Sequence, residues 1–190
     1  GGAVNVFSGS FSTAAGGARF DGGAADFTTD IEVDTITAGG PFVYVAGFTD
    51  QGNGIVTMSV KYDSAGAKLA SSFPNMPGGT SEDFFVDSQG RVYVTGGDPN
   101  YIRRLDASLG VAASRAAGSD SFFEALARGP GDTFYAAMKT WSGGQGLKIW
   151  QLDSTLAVLS TATYPLQVDF SQNIEARVRG LARDGSGNLY

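Results

Sequence analysis

The sequence contains no cysteine and no histidine. Disulfides, thiolate nucleophiles, zinc centres of the usual Cys/His kind and Ser–His relays are therefore excluded. The absence of cysteine is neutral about redox compartment. The absence of histidine weighs against catalysis by proton transfer near neutral pH, a task most often given to that side chain. Charged residues make up 17% of the chain and form no long run of one sign, which argues against bulk disorder. Acidic residues outnumber basic ones by 19 to 13, a net charge of −6. Such a chain repels phosphate backbones and anionic lipid surfaces, so neither nucleic acid nor a membrane surface is expected as a partner. No apolar run approaches 18 residues, so no membrane-spanning helix is expected. The opening stretch, GGAVNVFSG, holds neither an initiator Met nor a signal peptide, and a leader removed upstream is compatible with it.

Glycine is abundant, at 28 of 190 residues, and it punctuates a repeat. VYVTG at 92–96 has relatives in VYVAG at 43–47, TFYAA at 133–137, NVFSG at 5–9 and the terminal GNLY at 187–190. Val6, Tyr44, Tyr93, Phe134 and Tyr190 form one column, at spacings of 38, 49, 41 and 56. Upstream of the column stands an apolar run closed by a turn: DTITAGG, DFFVDSQG, EALARGPG, GLARDGSG. Downstream stands a second apolar run ending in Asp21, Asp63, Asp106 or Asp153, followed in three cases by a turn and a more polar strand. Apolar residues alternate at period two and Val, Phe, Tyr and Thr dominate, which favours strands over helices. Gly and Asp occupy the breaks, where turns need positive φ or a side chain that caps its own backbone. Four strands per unit of about 40–50 residues is the pattern of a β-propeller blade. The fold class expected is all-β, with four-stranded antiparallel blades; a β-sandwich with similar hairpins is the competing arrangement.

At these residues the chain resembles bacterial extracellular propeller repeats. VDSQGRVYVTGGDPNYIRRLDASLG is similar to the repeats of seven-bladed propellers, and FVYVAGFTDQGNGIVTMSVKYDSAGAKLASSF to the delta-60 type. The resemblance covers most of residues 31–190 and implies an exported or cell-surface protein. It carries no catalytic motif. ARGPGDTFYAA departs from the pattern, lacking the turn Asp and the closing Gly, which puts the turn geometry of the third unit in question. In this register residues 1–30 supply a partial blade, 31–79, 80–119 and 120–172 three whole ones, and 173–190 another partial blade. The chain is then a segment of a larger propeller, or a four-bladed ring closed by its own terminal strands, or half of an eight-bladed pair. The segment is preferred, because Tyr190 falls inside a strand whose backbone needs a partner.

Asp34, Asp83 and Glu124 stand ten residues before the aromatic column, at the expected start of each innermost strand. Converging at the mouth of a central channel, they could hold Ca²⁺ or bind a cationic or hydroxyl-rich ligand; equally, they could begin strands at a solvated rim. Trp141, in the Gly-rich loop KTWSGGQG, suits stacking on a sugar ring or covering its own blade. Trp150 in LKIWQLD reads as core. GGPFVYVAG and GGQGLKIW lead into no helix and are discounted as phosphate loops. Arg103 and Arg104 should point to opposite faces of a strand. The Asp of the downstream column recurs in every unit, which marks it as a turn cap.

Three classes of function follow. The leading one is a non-catalytic binding or scaffold module presenting loops on a rigid disc, with a protein or carbohydrate partner. A propeller-type enzyme with an axial metal, of the lactonase, lyase or sugar dehydrogenase class, is the second, and a structural subunit of an extracellular assembly is the third.

Overall fold

The computed structural model describes residues 25–35, 37–50, 55–72, 81–96, 100–140, 146–165 and 178–190. Among these there is no helix; twelve strands form three four-stranded antiparallel sheets. The first sheet holds β1 (Ala25–Asp34), β2 (Phe42–Asp50), β3 (Ile55–Tyr62) and β4 (Lys68–Ser72), in that spatial order. The second holds β5 (Ser81–Val86), β6 (Val92–Gly96), β7 (Tyr101–Leu105) and β8 (Val111–Ala116), and the third β9 (Ser121–Arg128), β10 (Thr133–Thr140), β11 (Gly146–Asp153) and β12 (Val158–Pro165), again in chain order. Residues 182–190 form a short hairpin, with Arg183 bridging Leu189.

Five turns share one chemistry. Asp63, Asp87, Asp106, Asp153 and Asp184 each accept on Oδ1 the amide hydrogens of the residues two and four ahead, at 2.8–3.0 Å. The residue three ahead takes positive φ: Gly66, Gly90 and Gly187 in three turns, Leu109 (66°) and Leu156 (70°) in the others. A leucine in the left-handed region costs about 1–2 kcal/mol. Burial offsets the cost, since Leu109 is 0% and Leu156 2% exposed. The β9–β10 turn has no such Asp. It closes instead through Gly129 N–H to the Thr133 carbonyl at 2.9 Å and Thr133 N–H to the Pro130 carbonyl at 3.2 Å.

The sheets pack face to face in chain order. Tyr44 and Ala46 of the first sheet meet Phe84, Val86, Val92, Val94 and Leu109 of the second. Phe85, Tyr93 and Ile102, on the second sheet's other face, meet Phe123, Phe134, Met138, Leu152 and Leu156 of the third. Because the second sheet is buried on both faces, β6 is buried at every position and its sequence, VYVTG, shows no polar alternation. Tyr93 stacks on Phe85 at 4.8 Å between ring centroids and tilts against Phe134 at 4.6 Å. The first strands lie closest together, β1 beside β5 and β5 beside β9. Arginines tie the later sheets: Arg104 donates to the Ser154 carbonyl at 2.6 Å and Arg115 to the Leu156 carbonyl at 2.9 Å. On the far face of the third sheet, Ala125, Ala137 and Ile149 meet Val178, Leu181 and Leu189.

The first sheet begins earlier than residue 31. DTITAGG looks like its inner strand, yet the strand is Ala25–Asp34, ending at the motif's first residue, and Thr37–Gly40 lie in the turn that follows. There Asp34 Oδ1 accepts the Thr37 amide at 3.0 Å, and Gly39 takes φ of 88°. A β-branched run thus imitated a strand where a side-chain cap had already turned the chain. Val6 and Asp21 lie outside the described residues.

Candidate functional site

The first strands and residues 179–183 enclose an open cavity of about 540 Å³. Its polar wall carries Asp30 and Glu32 from β1, Asp83 from β5, Glu124 and Arg128 from β9, and Arg179 and Arg183 from the last segment. Backbone donors hold the acids in place. Asp83 accepts the Phe84 amide on Oδ1 at 2.8 Å and the Leu126 amide of the next sheet on Oδ2 at 2.6 Å. Glu124 accepts the Val178 amide at 2.5 Å and faces Lys139 Nζ at 3.6 Å. Asp30 accepts the Ile31 amide at 2.8 Å. Arg128 donates to the Val86 carbonyl, joining the third sheet to the second.

Burial controls the charges. Desolvation pushes the Asp83 carboxyl up to about 7, and a hydrogen bond with the Asp30 carboxyl adds to the rise, while the Leu126 and Phe84 amides oppose it. Burial also raises Glu32, against the pull of Arg128.

Of the acids singled out by the ten-residue spacing, Asp83 and Glu124 line this cavity and Asp34 does not. Asp34 sits at the opposite end of β1, four residues beyond Asp30, about 13 Å along a strand at 3.3 Å per residue. It caps its own turn, near Lys61, whose ammonium lies 4.0 Å from the centre of the Phe42 ring. The spacing failed because it counts across connections of unequal length. These are residues 35–41, 87–91 and 129–132, so Tyr44, Tyr93 and Phe134 pair with Glu32, Phe85 and Arg128 respectively. Counting back from the hairpin ladder puts Asp30, not Asp34, at the level of Asp83. Asp30 and Glu32 were legible only through that ladder, and nothing in the sequence pattern marked Arg179 or Arg183. Among the described residues no three acidic side chains gather around a point where one cation could sit, so the expected Ca²⁺ trio is not assembled.

Trp141 lies outside the described residues. Trp150 is half-buried, edge-on to Phe123 at 5.7 Å, with the Arg115 guanidinium 5.3 Å from its ring centre. Arg103 and Arg104 do diverge: Arg104 reaches the third sheet and Arg103 lies over Tyr101 at 5.3 Å.

No family model matches the sequence. No curated protein matches it either. Solved structures do. One is the crystal structure of a protein of unknown function from Bacteroides caccae, with a TM-score of 0.55 at 12% identity, covering 78% of this chain and 48% of that one. This chain therefore spans about half the length of that structure. At such identity the likeness concerns fold alone.

Proposed function

We propose that the chain is a non-catalytic binding module whose sheets are blades of a β-propeller, with a ligand seated in the cavity between the first strands. The cavity carries this reading. Its acceptors are carboxylates anchored by backbone amides, its donors are arginines on the facing segment, and the two signs nearly balance. Fixed donors and acceptors side by side suit hydroxyls, which give and take hydrogen bonds at once, so a neutral, hydroxyl-rich molecule such as a sugar is the ligand class favoured. A metal-dependent enzyme needs several ligands around one ion, whereas Asp83 and Glu124 are each engaged with backbone amides. Export to the cell surface is proposed from the resemblance of the repeats.

Calorimetric titration with a panel of neutral oligosaccharides tests the reading. Binding by the unaltered protein, weakened about tenfold or more by Arg179→Gln or Glu32→Gln, is the expected outcome, since each removes a charge-assisted hydrogen bond. Failure of every sugar to bind, or affinity indifferent to both substitutions, would contradict it.

A further inference from the structure

We propose that Glu124 is a positioning residue for the cavity: from a bulge in β9 its carboxylate clamps residues 178–183 to the third sheet, and so fixes the wall that carries Arg179 and Arg183. The clamp stands whatever the cavity holds; its effect on binding rests on the reading above.

The bulge aims the side chain. Ala125 pairs with Ala137 and Phe123 with Met138, so Glu124 has no opposite number on β10. Residues two apart on a strand normally share a face, and the extra residue breaks that rule. Phe123 packs toward the second sheet, whereas Ala125 packs under Val178, Leu181 and Leu189. Glu124 itself is 9% exposed. It accepts the Val178 amide at 2.5 Å and lies 3.6 Å from Lys139 Nζ.

The bond joins equal levels of two units. Glu124 stands four residues before Arg128, which pairs with Phe134. Val178 stands four before Ala182, which exchanges both backbone hydrogen bonds with Tyr190. Asp83 works the same way at the preceding junction. It and its donor Leu126 each stand two residues before the partner of the aromatic column. There Phe85, Tyr93 and Phe134 are packed ring on ring as well. At the last segment the apolar contact is lighter. The third sheet offers Ala125, Ala137 and Ile149, and Val178, Leu181 and Leu189 are only half-buried against them. Small side chains bury little apolar area, so a hydrogen bond to a charged acceptor is a large share of what holds the segment. Arg179 follows Val178 directly, and the clamp therefore sets where the arginine wall begins.

The test is amide hydrogen exchange, residue by residue, on the intact protein and its variants. Glu124→Ala should cut the protection of the Val178 and Ala182 amides about tenfold and leave the Leu126 amide unchanged. Glu124→Gln, which keeps a carbonyl oxygen for the Val178 amide, should restore most of the loss. Undiminished Val178 protection in Glu124→Ala, or an equal loss at Leu126, would overturn the proposal. Should Glu124→Ala fail to fold, Glu124→Asp, one methylene shorter with its charge kept, decides on the same amide: a loss at Val178 supports the clamp and none overturns it. In the oligosaccharide titration, Glu124→Ala should weaken binding several-fold, and adding it to Arg179→Gln should weaken binding little further, as expected of a residue acting through the arginine. Full additivity would overturn the positioning role. If no sugar binds the unaltered protein, the reading of the cavity fails and the exchange result alone decides the clamp.

Discussion

At the scale of single residues, one chemical device recurs and one residue type breaks its rule. The five Asp turns each put positive φ three residues after the Asp, and two of the five place leucine there. Leu109 bears strain and supplies core contact together. Leu109→Ala therefore keeps the strain and loses the packing, at a cost of about 2–5 kcal/mol. Leu109→Gly loses slightly more packing but sheds about 1 kcal/mol of strain. Denaturant unfolding should find the glycine variant at least as stable as the alanine one, the reverse of the usual order; a clearly weaker glycine variant would refute the strain. Asp87, like Asp184, accepts four hydrogen bonds, and one of its donors is charged. Besides two amides it accepts from Arg91 Nε at 2.6 Å and from the Tyr93 hydroxyl at 3.2 Å. Asp87→Ala should cost about 2–3 kcal/mol, because it also leaves the Arg91 guanidinium without its main partner. Calcium should leave the melting temperature unchanged, since the described acids do not converge on one point. A rise of several degrees on adding it would reinstate a cation site. The capping role of Asp63, Asp106 and Asp153 was legible in the sequence because it needs neighbours along the chain alone. The hydrogen bond from the Leu126 amide to Asp83 was not, because it joins separate sheets and nothing local marks it.

Among elements, the strands with an aromatic at the centre were read most readily. β2, β6 and β10 are central in their sheets, so burial on both faces left long apolar runs in VYVAG, VYVTG and TFYAA. The fourth strands were legible by position, and TLAVLSTAT forms part of β12 in spite of its helical leaning, as pairing with β11 overrides propensity. β1 was misplaced. ADFTTDIEVD carries four acids and little apolar periodicity, because Ile31 and Val33 are about half exposed and its other face borders a polar cavity. The departure of the third unit at ARGPGDT proves to be a different turn on the same hairpin. Its critical position is Gly129, where a Cβ would fall 2.9 Å from the carbonyl carbon and oxygen of Thr133. Gly129→Ala should therefore destabilise by about 1–3 kcal/mol, whereas Gly185→Ala, with open space around it, should stay within about 0.5 kcal/mol. Equal effects in thermal unfolding would show that the turn gives way.

At the scale of the whole molecule, the proposed propeller requires sheets that converge at their first strands and diverge at their last. Each sheet alone would expose an apolar face, and stacking in chain order buries those faces as Tyr44, Phe84, Tyr93 and Phe134 are buried. The polar cavity lies where the first strands of the three sheets come together. The repeat announced the stack, since units that cannot cover themselves must cover one another. The content of the cavity was hidden by loop lengths that differ from unit to unit. Because the chain has no native cysteine, spin labels can be placed cleanly in pairs. The most direct measurement compares two electron–electron distances between the first and third sheets. One pair, Glu32→Cys with Arg128→Cys, sits on the innermost strands, and the other, Leu69→Cys with Leu159→Cys, on the outermost. The account predicts a clearly longer distance for the outer pair; equal distances would mean flat parallel layers and would contradict it.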